Sequence, residues 1–272
     1  MGLPALRRKW LGFQILGGAS PPTLNVEYTL GAHEPNEPFS GVVSPTVETA
    51  ALPGTFDAGD VADDPAIWID KNDPTRSLII GTDKDPKQGR LYAFDLQGKV
   101  INTTSFGEFN NVDLRYGFNL GGQLVDLVGA TNRGTNSIDF FALDPVTREL
   151  NPVGSVPTGL SNIYGFTMGH TADGKYYAFV SNTGSYEDST EATTVRQFEL
   201  VGSSGKVTGQ AVRTFSHGTQ VEGMVVDDQT GALYLAEENV GIWKYGADPA
   251  SGSPAPRWTR LEAGVLRPIW RG

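Results

Sequence analysis

Asp63-Asp64-Pro65-Ala66-Ile67-Trp68-Ile69-Asp70 is followed, after a polar break, by Ser77-Leu78-Ile79-Ile80-Gly81-Thr82-Asp83-Lys84. After a glycine turn comes Arg90-Leu91-Tyr92-Ala93-Phe94-Asp95-Leu96. Each run is of strand length, rich in β-branched or aromatic side chains, and bounded by turn residues. Charged residues sit at the run ends, Asp63 and Asp64 before the first and Asp83 and Lys84 after the second. The runs therefore predict the strands of one sheet, with the chemistry at their ends.

Working outward, the same unit recurs. Second strands align as Leu78–Asp83, Leu127–Asn132, Tyr177–Asn182 and Leu233–Glu238; third strands as Leu91–Leu96, Ile138–Leu143, Val195–Leu200 and Gly241–Tyr245. The repeat of roughly 45–57 residues falls in the propeller range, and no unit contains an amphipathic helix. The expectation is an all-β chain with about four β-propeller blades. Gly 34 and Pro 17 in 272 residues agree with many short strands joined by turns.

Residues 1–45 read as an N-terminal arm or linker, 46–248 as the propeller domain and 249–272 as an irregular tail. Arg7, Arg8 and Lys9 precede a short apolar stretch that loosely resembles a signal peptide, although Gln14 and a glycine pair break it. No run is long enough to span a bilayer. Val43 to Leu52 is expected to supply one early strand.

A formal net charge of -10 argues against nucleic acid and anionic membranes as partners. An acidic protein accepts an anion when metal cations stand between them, and clustered carboxylates suit calcium. With no cysteine, disulfides, thiolate catalysis and Cys-ligated zinc are excluded, and His33, His170 and His217 lack a paired metal-ligand spacing. No nucleophile elbow, P-loop or dinucleotide fingerprint is present.

The second strands each end in acids or amides: Asp83, Asn132, Asn182, and Glu237 with Glu238. Asp63 and Asp64 open the first unit and Glu222 the fourth. Equivalent ends of propeller strands gather on one face, so these residues either form a cation-binding ring or are solvated loop charges. Lys84 and Arg133 stand at matching places and suit phosphate, Arg as a fork and Lys as a point charge; surface ion pairs are the plainer reading. Tyr164 either turns its hydroxyl to the same centre or packs. Asp113 either extends the ring or caps a turn.

Taken together, Asp63-Asp64-Pro65-Ala66-Ile67-Trp68, Asn110-Asn111-Val112-Asp113-Leu114-Arg115-Tyr116, Ile163-Tyr164-Gly165-Phe166, Val221-Glu222-Gly223-Met224, Ala236-Glu237-Glu238 and Ile242-Trp243-Lys244 resemble the β-propeller phytases, in that family's order and spacing. The resemblance implies a six-bladed, calcium-dependent propeller that hydrolyses phytate (myo-inositol hexakisphosphate), secreted or periplasmic. It further implies Asp63, Asp64, Tyr164, Glu222, Glu237 and Glu238 as metal-binding, with Asp64, Tyr164, Glu222 and Glu238 catalytic. Lys84 and Arg133 match phosphate-binding cations. Arg196 is the candidate for a family lysine missing after the second strand of the third unit, where this chain is acidic. With four units in view, the expectation is an incomplete ring. The rival readings are a non-catalytic module that binds inositol phosphate and calcium or docks onto a partner domain, and a calcium-bound lactonase, which would have no use for two phosphate cations.

Overall fold

The computed structural model describes residues 24–28, 39–43, 46–53, 61–183, 190–251, 259–262 and 265–268. The chain divides into two units, residues 1–49 and 50–272. In the first, β1 (Leu24–Tyr28) pairs antiparallel with β2 (Phe39–Val43). The strand expected over Val43–Leu52 is corrected here: β2 ends at Val43 and residues 46–52 form none. Pro45 has no N–H to give to a ladder.

The second unit holds four blades among the described residues, each an antiparallel meander in chain order. The first is β3 (Ala62–Trp68), β4 (Leu78–Asp83), β5 (Leu91–Phe94) and β6 (Val100–Thr103). The next is β7 (Phe109–Asn119), β8 (Leu124–Asn132), β9 (Ser137–Leu143) and β10 (Leu150–Pro157). The third is β11 (Ile163–His170), β12 (Tyr176–Asn182), β13 (Thr193–Ser203) and β14 (Lys206–His217). The last is β15 (Val221–Asp227), β16 (Ala232–Glu237), β17 (Gly241–Gly246), β18 (Thr259–Glu262) and β19 (Val265–Pro268). The expected irregular tail thus carries two strands, with β18 pairing to β17. The outer edge of β17 has N–H and C=O groups that need partners, and the tail supplies them. Helix among the described residues is confined to single turns at Pro74–Arg76 and Pro249–Ser251.

Strand alternation explains why the middle blades read as near-continuous apolar runs. Leu127 and Phe140 face the third blade, against Phe166, Met168 and Val180. Their neighbours Val128 and Phe141 face the first, against Trp68, Ile80 and Leu91. Tyr177 and Phe179 turn to the fourth, against Val226, Leu233 and Leu235. A blade sandwiched on both faces must be apolar on both. The inner strands β3, β7, β11 and β15 consequently stand side by side.

Each inner strand carries a β-bulge at the same place. The pairing slips between Ala62 and Pro65, Phe109 and Val112, Ile163 and Phe166, and Val221 and Met224. At each slip two inner-strand residues face one second-strand residue. In three blades that opposing residue is a hydroxyl. Thr82, Thr131 and Ser181 accept from the N–H of Asp64, Asn111 and Gly165 at 2.9, 3.0 and 2.8 Å. They donate to the next blade, to the carbonyls of Asn110, Tyr164 and Val221 at 2.8, 3.4 and 2.6 Å. These buried clasps stitch each blade to its successor. Thr82→Val and Ser181→Ala each leave a buried N–H and C=O without a partner, so each is expected to cost about 1–3 kcal/mol in urea unfolding. Unchanged midpoints in both would show that the clasps carry no stability.

Candidate active site

The bulges bring Asp63-Asp64, Asn110-Asn111, Tyr164-Gly165 and Glu222-Gly223 to one end of the inner strands. A second tier comes from the residues just past the second strands. The backbone N–H groups of Lys84, Arg133, Thr183 and Glu238 donate to Val61, Glu108, Asn162 and Gln220 carbonyls at 2.8–2.9 Å. These four positions are therefore equivalent. The sequence alignment above put Glu238 in line with Asp83, Asn132 and Asn182. The register instead puts Glu237 opposite Val221, as Asp83 is opposite Ala62, and moves Glu238 into line with Lys84 and Arg133. One step along a strand reverses the face, so the two glutamates point to opposite sides.

Charges then converge. Lys84 Nζ lies 3.0 Å from Asp63 Oδ1, with both side chains largely buried. The Arg133 guanidinium stands over the Tyr164 ring, 5.2 Å from its centroid. Burial is the main cause that pushes the Glu222 carboxyl up to about 7, and the charges of Asp63 and Glu238 add to it; a hydrogen bond with Tyr164 and the charge of Arg133 offset part of the rise. Burial, then Glu222 and Glu238, push the Tyr164 hydroxyl well above its usual range, against the pull of Arg133. Tyr164 is thus a donor at any ordinary pH. Asp63, Arg133, Tyr164, Glu222 and Glu238 form one interacting group.

Asp64 stands beside it, on the second position of the first bulge. Its Oδ2 accepts from Val112 N–H at 3.0 Å. Burial outweighs that bond and one from Asn111, and with Asp113 and Asp63 nearby raises its carboxyl to about 7. Asn110, completely buried, holds Asn111 in turn through a bond from Nδ2 to Oδ1 at 2.5 Å.

Two residues expected here make their hydrogen bonds outside this group. Arg196 Nη1 donates to the Thr158 carbonyl at 2.5 Å, on the β10–β11 connection. Glu237 is buried where the third blade meets the fourth, among His217 at the end of β14, Thr219 on the connection that follows and Trp243 of its own blade. Asp113 neither caps a turn nor joins the group directly. Its Oδ2 accepts from Thr167 Oγ1 and Met168 N–H at 2.8 Å, tying the second blade to the third, and its Oδ1 accepts from Arg115 at 2.8 Å. Arg115 then meets Asp228 of the fourth blade at 2.9 Å. Of the acidic stretch 183–191, residues 184–189 lie outside the described residues.

Sequence reasoning missed Thr82, Thr131, Ser181 and Gln220. The hydroxyls had a signal, a Thr or Ser recurring one residue before the polar strand end. Gln220 had none, because its role depends on a partner in another strand.

With the geometry established, comparison with known proteins decides the ancestry. The phytase family model matches residues 19–264. The chain belongs to the phytase family. A 3-phytase of Bacillus subtilis (strain 168) is 40% identical over 234 residues, which is 83% of this chain and 57% of that protein. The chain thus spans a little over half the length of this curated relative. Among solved structures, a periplasmic gluconolactonase of Pseudomonas aeruginosa superposes with a TM-score of 0.48 and 14% identity, over 93% of this chain and 67% of that one. A protein of unknown function from Desulfotomaculum acetoxidans DSM 771 gives 0.48 and 16%, over 86% and 61%. At those scores neither likeness bears on what this phytase-family chain does.

Proposed function

We propose that the chain hydrolyses phosphomonoesters of phytate, releasing phosphate and lower inositol phosphates, with calcium held at the bulge end of the blades. The observation that carries the reading is the convergence of Asp63, Tyr164, Glu222 and Glu238 with Arg133, and of Lys84 with Asp63. Family membership and the 3-phytase relative support the substrate class.

The donor chemistry fits calcium. Asp63, Tyr164, Glu222 and Glu238 offer carboxylate and phenol oxygens, with no imidazole nitrogen or thiolate sulfur among them, which is what a hard cation takes. Burial and mutual repulsion raise Asp64 and Glu222 to about 7, and a cation would favour their ionised forms. Among the described residues no three His, Asp or Glu side chains are already gathered as a metal site. The fit therefore rests on donor type and crowded charge. Asp63, Asp64, Glu222 and Glu238 would hold the ions, with Tyr164 beside them. Bound there, calcium supplies charge neutralisation for the phosphates and activation of the attacking water.

The chain's own residues do the rest. Arg133, standing over the Tyr164 ring, is suited to grip a phosphate as a fork. Lys84, tethered to Asp63, adds a point charge beside it. Tyr164 keeps its proton and gives a hydrogen bond to Glu222, holding that carboxylate's orientation. In the reaction water oxygen bonds to phosphorus, the phosphorus–inositol oxygen bond breaks, and the inositol oxygen takes up a proton. By resemblance to the family the setting is secreted or periplasmic; among the described residues no helix is long and apolar enough to cross a membrane.

The test is phosphate release from phytate by purified protein, with calcium and with chelator. Release that requires calcium is expected. Folded protein that binds phytate with calcium but releases no phosphate at any calcium level would leave a binding module in place of an enzyme.

A further inference from the structure

Behind Glu238 lies a buried chain of hydrogen bonds that the reaction does not use. The Tyr245 hydroxyl meets His217 Nε2 at 3.0 Å, and His217 Nδ1 meets Glu237 Oε2 at 3.3 Å. Trp243 Nε1 donates to the same oxygen at 2.5 Å. The other oxygen, Oε1, accepts from both the backbone N–H and the hydroxyl of Thr219 at 2.9 Å. Those contacts give a neutral imidazole one consistent tautomer: Nδ1–H donates to Glu237 and Nε2 accepts from Tyr245. His217, Glu237 and Tyr245 are all buried.

The far end of this chain is Gln220, the next residue after Thr219 and itself buried. Its carbonyl accepts from the Glu238 N–H at 2.9 Å. Its Nε2 donates to Glu238 Oε1 at 3.1 Å, and its Oε1 accepts from Thr183 Oγ1 at 2.6 Å. The amide is thus fixed at both ends. Residues 218–220 belong to no strand, so Glu237 supplies the bonds that set their course. A fully bonded buried carboxylate adds little stability over an apolar group of the same size. What it does add is direction.

We propose that Glu237, backed by His217 and Tyr245, is a positioning residue that sets Thr219 and Gln220 and through them aims the Glu238 carboxylate at the calcium-binding group. The inference rests on the calcium reading above. Adjacent glutamates divide the labour: Glu238 faces the ions, and Glu237 faces inward and holds the loop that orients it.

Calcium titration calorimetry tests this without relying on turnover, on the parent chain and on Thr219→Val, Thr219→Ser, Glu237→Gln and Glu238→Gln, each checked for folding by its melting curve. Thr219→Val keeps the shape and loses the hydroxyl donor; Thr219→Ser keeps the donor. Removing a supporting hydrogen bond typically weakens metal binding about 10–100-fold, and that loss is expected for Thr219→Val and Glu237→Gln. Thr219→Ser should bind as the parent does, and Glu238→Gln should lose at least as much as either. If Glu237→Gln fails to fold, the Thr219 pair decides. Parent-like affinity in Thr219→Val while Glu238→Gln is weakened overturns the positioning role and leaves the proposed function standing, as does equal loss in Thr219→Ser and Thr219→Val. A parent chain that takes up no calcium, or a Glu238→Gln variant that binds as well as the parent, overturns both.

Discussion

Gly165→Ala is expected to destabilise the chain by about 3 kcal/mol or more, the upper end for forcing atoms into a packed interior. A methyl group at Gly165 would lie 2.2 Å from the Glu222 carbonyl oxygen and 2.7 Å from its Cα. Those are backbone atoms of the next blade, so no side chain can swing aside. The third and fourth blades would have to separate at the bulge that carries Tyr164, and the Tyr164–Glu222 contact would loosen with them. Gly223 occupies the equivalent place in the fourth blade. A Cβ there meets only Ala236 Cβ at 3.4 Å, so Gly223→Ala should lose far less. Urea midpoints of the two variants side by side give the answer. Equal midpoints would mean that the blades are not packed as closely here as the structure has them.

Asp64→Ala and Glu222→Ala are each expected to weaken calcium binding without a matching loss of stability in chelator. Each removes a buried carboxyl whose ionised form is disfavoured by burial and by neighbouring acids. In chelator, relief from that repulsion should leave the melting temperature of Glu222→Ala unchanged or raise it, while in Asp64→Ala the buried Val112 N–H loses its acceptor and offsets the relief. With calcium, each variant loses a charged oxygen donor, and affinity by titration should fall by about tenfold or more, no less than the loss typical for a supporting residue. The calcium-induced rise in melting temperature should shrink with it, since a ligand stabilises the folded state in proportion to its binding. Parent-like calcium affinity in both variants would remove these residues from the ion site. Lower stability of Glu222→Ala in chelator would mean that Glu222 serves the fold instead.

The strands themselves were legible without a structure. Apolar runs of five to seven residues between turn signals gave β4, β5, β8, β9, β12 and β16, because a blade buried on both faces needs apolar side chains on both and its ends need turns. The recurrence of polar residues at those ends located the candidate site, and the motifs in register located the family. What stayed hidden was everything that depends on a partner far away in the chain. A bulge is one residue out of step between two strands, and neither strand alone records it. That single step decides that Glu238 joins Lys84 and Arg133 while Glu237 turns inward, although the two are neighbours in sequence. It also sets Thr82, Thr131 and Ser181 opposite a free N–H and within reach of the next blade. Asp113 reads as one more acid near a strand start, yet its partners are Thr167 and Met168 on another blade. The sequence alone determined which residues form sheet and which carry charge at its ends. The tertiary structure decided which face each charge takes and what it meets there, because facing depends on register and register on long-range pairing.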